Sequence, residues 1–168
     1  MIWRRFVDGR GAPALTFAWS AGEATVWWVP ADYLLAALVL GRRRRWPALL
    51  GACVGGMAAG GLVSLTAARA RPDAALAVVR GVPGVTPARL DRVRSLLERH
   101  GTAALLLQPV SGIPFKAWAA VLGPADVPLA VSAPALLSAR AARMAGTALL
   151  AQLVARSAQR AVERWQAR

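Results

Sequence analysis

Cysteine, histidine and lysine each occur once in this chain, as Cys53, His100 and Lys116. A lone cysteine cannot close an internal disulfide, so the fold does not depend on an oxidising compartment. One histidine with no second type of metal ligand beside it excludes a His/Cys metal centre. No nucleophile–base pair and no Gly-rich phosphate loop is visible, and Ser111, in Val110-Ser111-Gly112, stands outside a nucleophile-elbow pattern. Neither an enzyme nor a cofactor or metal is therefore expected. Charge is scarce as well. Charged residues make up 17% of 168 and hydrophobic ones 57%, whereas soluble domains carry roughly a quarter charged. The length suits one domain.

What the chain has in place of charge is long apolar runs. Trp46 to Ala68 is 23 residues without a charge, enough to cross about 30 Å of hydrocarbon as a helix. Two further apolar segments are each broken near the middle by Pro, one spacer and one ionisable residue. The first, 12–40, contains Pro30-Ala31-Asp32; the second, 102–123, contains Pro114-Phe115-Lys116. Pro removes a backbone donor and clashes with the preceding turn, so each segment is expected to be two short half-helices entering and leaving on one face. Such backbone is tolerated at membrane depth only where it lines a cavity or packs on protein.

The expected fold is an all-α integral membrane protein of two inverted repeats, each a re-entrant broken-helix hairpin followed by a transmembrane helix. The first repeat, 12–68, pairs the re-entrant segment 12–40 with a crossing at 46–68. A polar linker, 69–100, carries an amphipathic helix at 87–100, started by Thr86 and Pro87 and ended by Gly101. Its Leu90, Val93 and Leu97 line one face, which is expected to lie in the membrane interface. The second repeat, 101–155, pairs the re-entrant segment 102–123 with a crossing at 127–155. A basic tail, 156–168, then leaves the bilayer. Gly51-x3-Gly55 and Gly56-x3-Gly60 permit close helix approach, and Gly41 and Gly123 each close a broken segment in a Leu-Gly pair.

The net charge of +13 is carried almost wholly by arginine. A nucleic-acid binder can show that balance, but these arginines cluster at the ends of apolar runs. That placement suits lipid phosphates and membrane topology rather than nucleic acid. With one crossing between the broken segments, the termini share a side. That side holds 11 arginines (Arg4, Arg5, Arg10, Arg42 to Arg45, Arg156, Arg160, Arg164, Arg168), against seven within 69–99. The bias places both termini in the cytoplasm. The N-terminal run does not read as a cleaved signal, because Glu23 and Asp32 interrupt it.

Five ionisable residues fall inside the apolar segments: Glu23, Asp32, Lys116, Arg140 and Arg143. Charges at that depth are costly and mark function or internal pairing. Glu23 and Asp32, nine apart across Pro30, can face one cavity and exchange a proton. Lys116 is their opposite charge in the second segment. Arg140 and Arg143 share one helix face and can hold a phosphate between them. The plainer alternative is charge pairing that merely holds the hairpins together.

Glu23-x6-Pro30-x-Asp32 with Leu34-Leu35, the Gly51 to Gly61 helix, the phrase from Arg99-His100-Gly101 through Gly112-Ile113-Pro114-Phe115-Lys116 to Gly123, and Ser138-Ala139-Arg140-x2-Arg143 occur in that order. Together they resemble the DedA-like (VTT-domain, SNARE-associated) membrane proteins, nearest the short YqaA-like branch, over residues 17 to 150. The chain departs from that pattern at Gln108-Pro109, where relatives often have Arg-Phe, and at Ser111, where they usually have Pro. The resemblance implies a bacterial plasma-membrane, multi-pass protein that moves a phosphate-bearing lipid, coupled to protons or not. Its transport or proton residues would be Glu23 and Asp32, its substrate-binding residues Lys116, Arg140 and Arg143, and its structural positions Pro30, Pro114, Gly55 and Gly123. The expected partners are anionic membrane lipids and a second copy of the chain. The alternative is a non-transporting scaffold or assembly factor that dimerises through its glycine faces.

Overall fold

A computed structural model describes residues 11–41 and 45–166. Those residues are mostly helical, joined by short turns, with no strand among them. The first broken segment forms α1 (Gly11–Thr25) and α2 (Ala31–Gly41). The amides of Val26 and Trp27 both donate to the Gly22 carbonyl, at 2.9 and 2.7 Å, and tighten the last turn of α1. Pro30 then leads into α2, whose first turn closes where Tyr33 N–H donates to the Pro30 carbonyl at 3.3 Å. The missing Pro donor costs nothing there, because the first amides of a helix have no intrahelical partner.

Helix α3 (Trp46–Ala70) carries Pro47 in its first turn. It receives α1 along its glycine face. A Cβ on Gly56 would collide with the Phe17 backbone, and one on Gly60 with the Ala21 backbone. These two glycines therefore serve an intramolecular contact, and their face is closed to a second copy. Gly55 borders the Phe17 ring, while Gly51 is open.

The linker holds two helices, α4 (Pro72–Arg80) and α5 (Pro87–His100). At the start of α5, the Thr86 hydroxyl accepts from Arg89 N–H at 3.3 Å, and Gly101 at φ 55 ends the helix. The structure differs from the sequence reading in two respects here. The stretch at 72–80 is helical, and the apolar face of α5 turns inward: Leu90 and Val93 are buried in the main core, with Leu97 packed against it. An inward face of that kind seats α5 on the protein rather than on lipid.

Gly101–Val110 then winds as a 3-10 stretch, and Gly112 at φ 69 makes the turn into α6 (Phe115–Leu122). All eight residues of α6 are buried. The core around Phe115, Trp118 and Leu122 is continuous with Leu90, Leu105 and Leu136. A second cluster joins Leu35, Leu49, Met57 and Met144. Helix α7 (Leu129–Gln166) is one continuous helix of 38 residues, about 57 Å at 1.5 Å per residue. The helix runs on without a break into the basic tail that is expected to leave the bilayer near 155.

The helices pack crosswise. α1 lies on α3 and the 3-10 stretch on α7, so the first arm of each broken segment rests on the long helix that follows it. α2 lies on α7 and α6 on α3, so each second arm rests on the other segment's long helix. Among the described residues only α3 is long and apolar enough to cross a membrane; α7, expected to supply a second crossing, is interrupted by Pro134, Arg140 and Arg143. Leu62, Val63, Leu149, Leu150, Leu153 and Val154 nevertheless stand exposed on the outer surfaces of α3 and α7.

Candidate functional site

The breaks at Pro30 and Pro114 meet at one cavity of about 180 Å³. Glu23, Asp32, Lys116, Arg140 and Arg143 all line it, together with both prolines. Glu23 comes from the last turns of α1 and Asp32 from the first turn of α2. Lys116 sits in the first turn of α6, and the two arginines lie one turn apart on α7.

The acids pair with the arginines. Arg140 donates to the Glu23 carboxylate, and both side chains are nearly buried, at 7% and 9% exposure. The Arg140 guanidinium also stacks over the Phe115 ring, 5.5 Å from its centre. Arg143 lies 2.9 Å from the Asp32 carboxylate and also donates to the Pro109 carbonyl at 3.0 Å. This pair is wetter on the arginine side, which is 43% exposed against 12% for Asp32. Thr147 adds a long 3.5 Å contact to Asp32. Arg140 and Arg143 thus differ from the expected open phosphate clamp, because each guanidinium already faces a carboxylate.

Among the described residues Lys116 has no such counterion. Its residue is 2% exposed, yet its ammonium donates to the Trp27 carbonyl and to no carboxylate. It ties the second break to the first through backbone. Three cations and two anions leave the cavity one positive charge in excess. Two further polar atoms there lack partners: Gln108 Oε1 and Arg140 Nε are buried without a hydrogen bond. Gln108 spends its amide nitrogen on the Ile113 carbonyl at 3.3 Å. Charges and unspent polar atoms gathered around one cavity make it the candidate polar site.

Lys116 also borders a second and larger space. A cavity of about 440 Å³ lies between α3, α4 and α6, and apart from Lys116 its wall is mostly Ala and Val. Lys116 is the one residue common to the two spaces.

The site contains three features that the sequence reading does not assign: Gln108, the Phe115 ring under Arg140, and the Trp27 carbonyl. Gln108 stands as a lone amide in an apolar run, and that isolation is a usable sign. The carbonyl leaves no trace in sequence. Cys53 is buried elsewhere, against Ser20 and Met144, and His100 is exposed at the end of α5. Among the described residues no group of His, Cys, Asp and Glu could hold a metal ion. No family model, curated protein or solved structure matches the chain.

Proposed function

We propose that this chain is a multi-pass protein of the bacterial plasma membrane that binds a phosphate-bearing lipid and moves it across the bilayer. The observation that carries the reading is the buried Lys116, without a counterion among the described residues, in a cavity where two broken helices meet. An uncompensated buried cation is expensive, and an anionic headgroup supplies the missing charge. The crosswise packing of arms and long helices supports two inverted units with the site between them. The likeness to the DedA-like family favours the same function, and the arginine bias favours cytoplasmic termini. A proton on Glu23 or Asp32 would cancel its pair and free a guanidinium for the lipid phosphate, which couples protons to lipid movement in this reading. The scaffold alternative needs a free glycine face, and α1 already covers Gly56 and Gly60.

Reconstitution tests this. Vesicles carrying the full chain should move a fluorescent phosphate-bearing lipid between leaflets faster than empty vesicles. Lys116→Gln should slow that movement about tenfold, since a hydrogen bond to a charged group contributes roughly 1.5–3 kcal/mol. Equal rates with and without the protein would remove the transport reading.

A further inference from the structure

We infer that the apolar cavity between α3, α4 and α6 seats one hydrocarbon chain of an anionic amphiphile whose headgroup lies beside Lys116 in the polar cavity. This rests on the lipid reading above and names where the tail of that lipid goes. The two spaces have opposite chemistry. The smaller, about 180 Å³, is lined by Glu23, Asp32, Lys116, Arg140 and Arg143, of which all but Arg143 are buried, and holds the unspent Gln108 oxygen. The larger, about 440 Å³, is walled mainly by residues such as Ala67, Ala74, Ala75 and Val78, with Arg71 as its one further charged residue beside Lys116 among the described residues. Its volume lies within the roughly 300–1,000 Å³ of ligand-binding clefts.

A ligand filling either space alone is poorly served. A free inorganic anion would satisfy Lys116 but leave the apolar wall empty. A neutral hydrocarbon would fill the groove and leave the ammonium without a counterion. A molecule with an anionic head and one chain satisfies both, and Lys116 is placed where head and chain join. The lysine stem is itself apolar, so one side chain can border both spaces. Charge complementarity at this junction selects the occupant.

The test uses hexadecyl phosphate carrying a photoreactive group at the chain end, added to the full chain in bilayer discs. Labelled peptides are read by mass spectrometry. The label is expected within 63–79, on α3 and α4. Unlabelled hexadecyl phosphate should compete at least tenfold better than hexadecanol, and inorganic phosphate should not compete. Lys116→Gln should cut labelling about tenfold. Ala67→Phe with Ala74→Phe should block it while the protein stays folded, because both positions are exposed into the groove. Label on the outer face of α7 around Leu149 and Leu153 would overturn the inference. So would equal competition by hexadecanol, or displacement by inorganic phosphate alone. A groove-filled variant that moves lipid at the unmodified rate overturns the groove and leaves transport standing. Labelling that survives in a protein that moves no lipid supports the groove and removes transport.

Discussion

Glu23 and Arg140 behave as one buried unit. Removing one member leaves the other as an uncompensated charge, which costs about 3–5 kcal/mol in proteins. Glu23→Gln should therefore lower the melting temperature in detergent sharply, and Glu23→Gln with Arg140→Met should recover most of the loss, which thermal unfolding of the three proteins would measure. Asp32 and Arg143 contrast with them. With Arg143 43% exposed, water already screens that pair, and partly exposed ion pairs contribute about 1 kcal/mol or less. Asp32→Asn should shift the melting temperature little and act mainly on any lipid movement. Equal destabilisation by the two amide variants would mean that exposure does not separate the pairs.

At the scale of elements, the contact between α1 and α3 depends on atoms that are missing. Gly56→Ala places a methyl group inside the Phe17 backbone, and overpacking of that kind costs about 1–3 kcal/mol. Gly51→Ala meets nothing within 4 Å, so helix propensity should make it neutral or stabilising by up to about 1 kcal/mol. Melting curves of the two variants in one detergent separate these outcomes. The breaks at Pro30 and Pro114 are legible in the sequence because each proline removes a helix donor and stands beside an ionisable residue in an apolar run, whereas α7 runs on through Pro134. The ends of α5 are legible because Thr86, Pro87 and Gly101 each solve a local backbone problem. Helix α4 is harder to read, because Pro72–Arg80 spans only nine residues, although Pro72 and Asp73 at its start and Arg80 at its end are helix signals. The direction of the α5 apolar face is also hidden, because inward packing and lipid contact need the same pattern. The choice of partners is least legible of all. Glu23 and Arg140 stand 117 residues apart, and only the packing of α1 and α7 around α3 decides that Glu23 meets Arg140 and not Lys116.

The whole molecule joins two broken segments through α3 and gathers their charges at one place. In the proposed topology the net charge of +13 is spread so that Arg45 at the start of α3 would share a side with Arg156, Arg160 and Arg164, with the linker on the other side. This spread predicts salt-sensitive attachment to anionic lipid, with the tail arginines contributing about 1 kcal/mol each near the surface. Replacing Arg160 and Arg164 by Ala should weaken binding to anionic vesicles in flotation, yet leave headgroup selectivity at Lys116 unchanged. The proposed lipid path requires two opposed units on either side of one membrane crossing. The most direct test is single-cysteine labelling in a Cys53→Ala background, with Arg45→Cys, Arg80→Cys and Arg164→Cys probed by an impermeant maleimide. Arg80→Cys should label from outside intact cells, and Arg45→Cys and Arg164→Cys only after the membrane is opened. Labelling of Arg45→Cys and Arg80→Cys from the same face would contradict the inverted arrangement and the lipid path built on it.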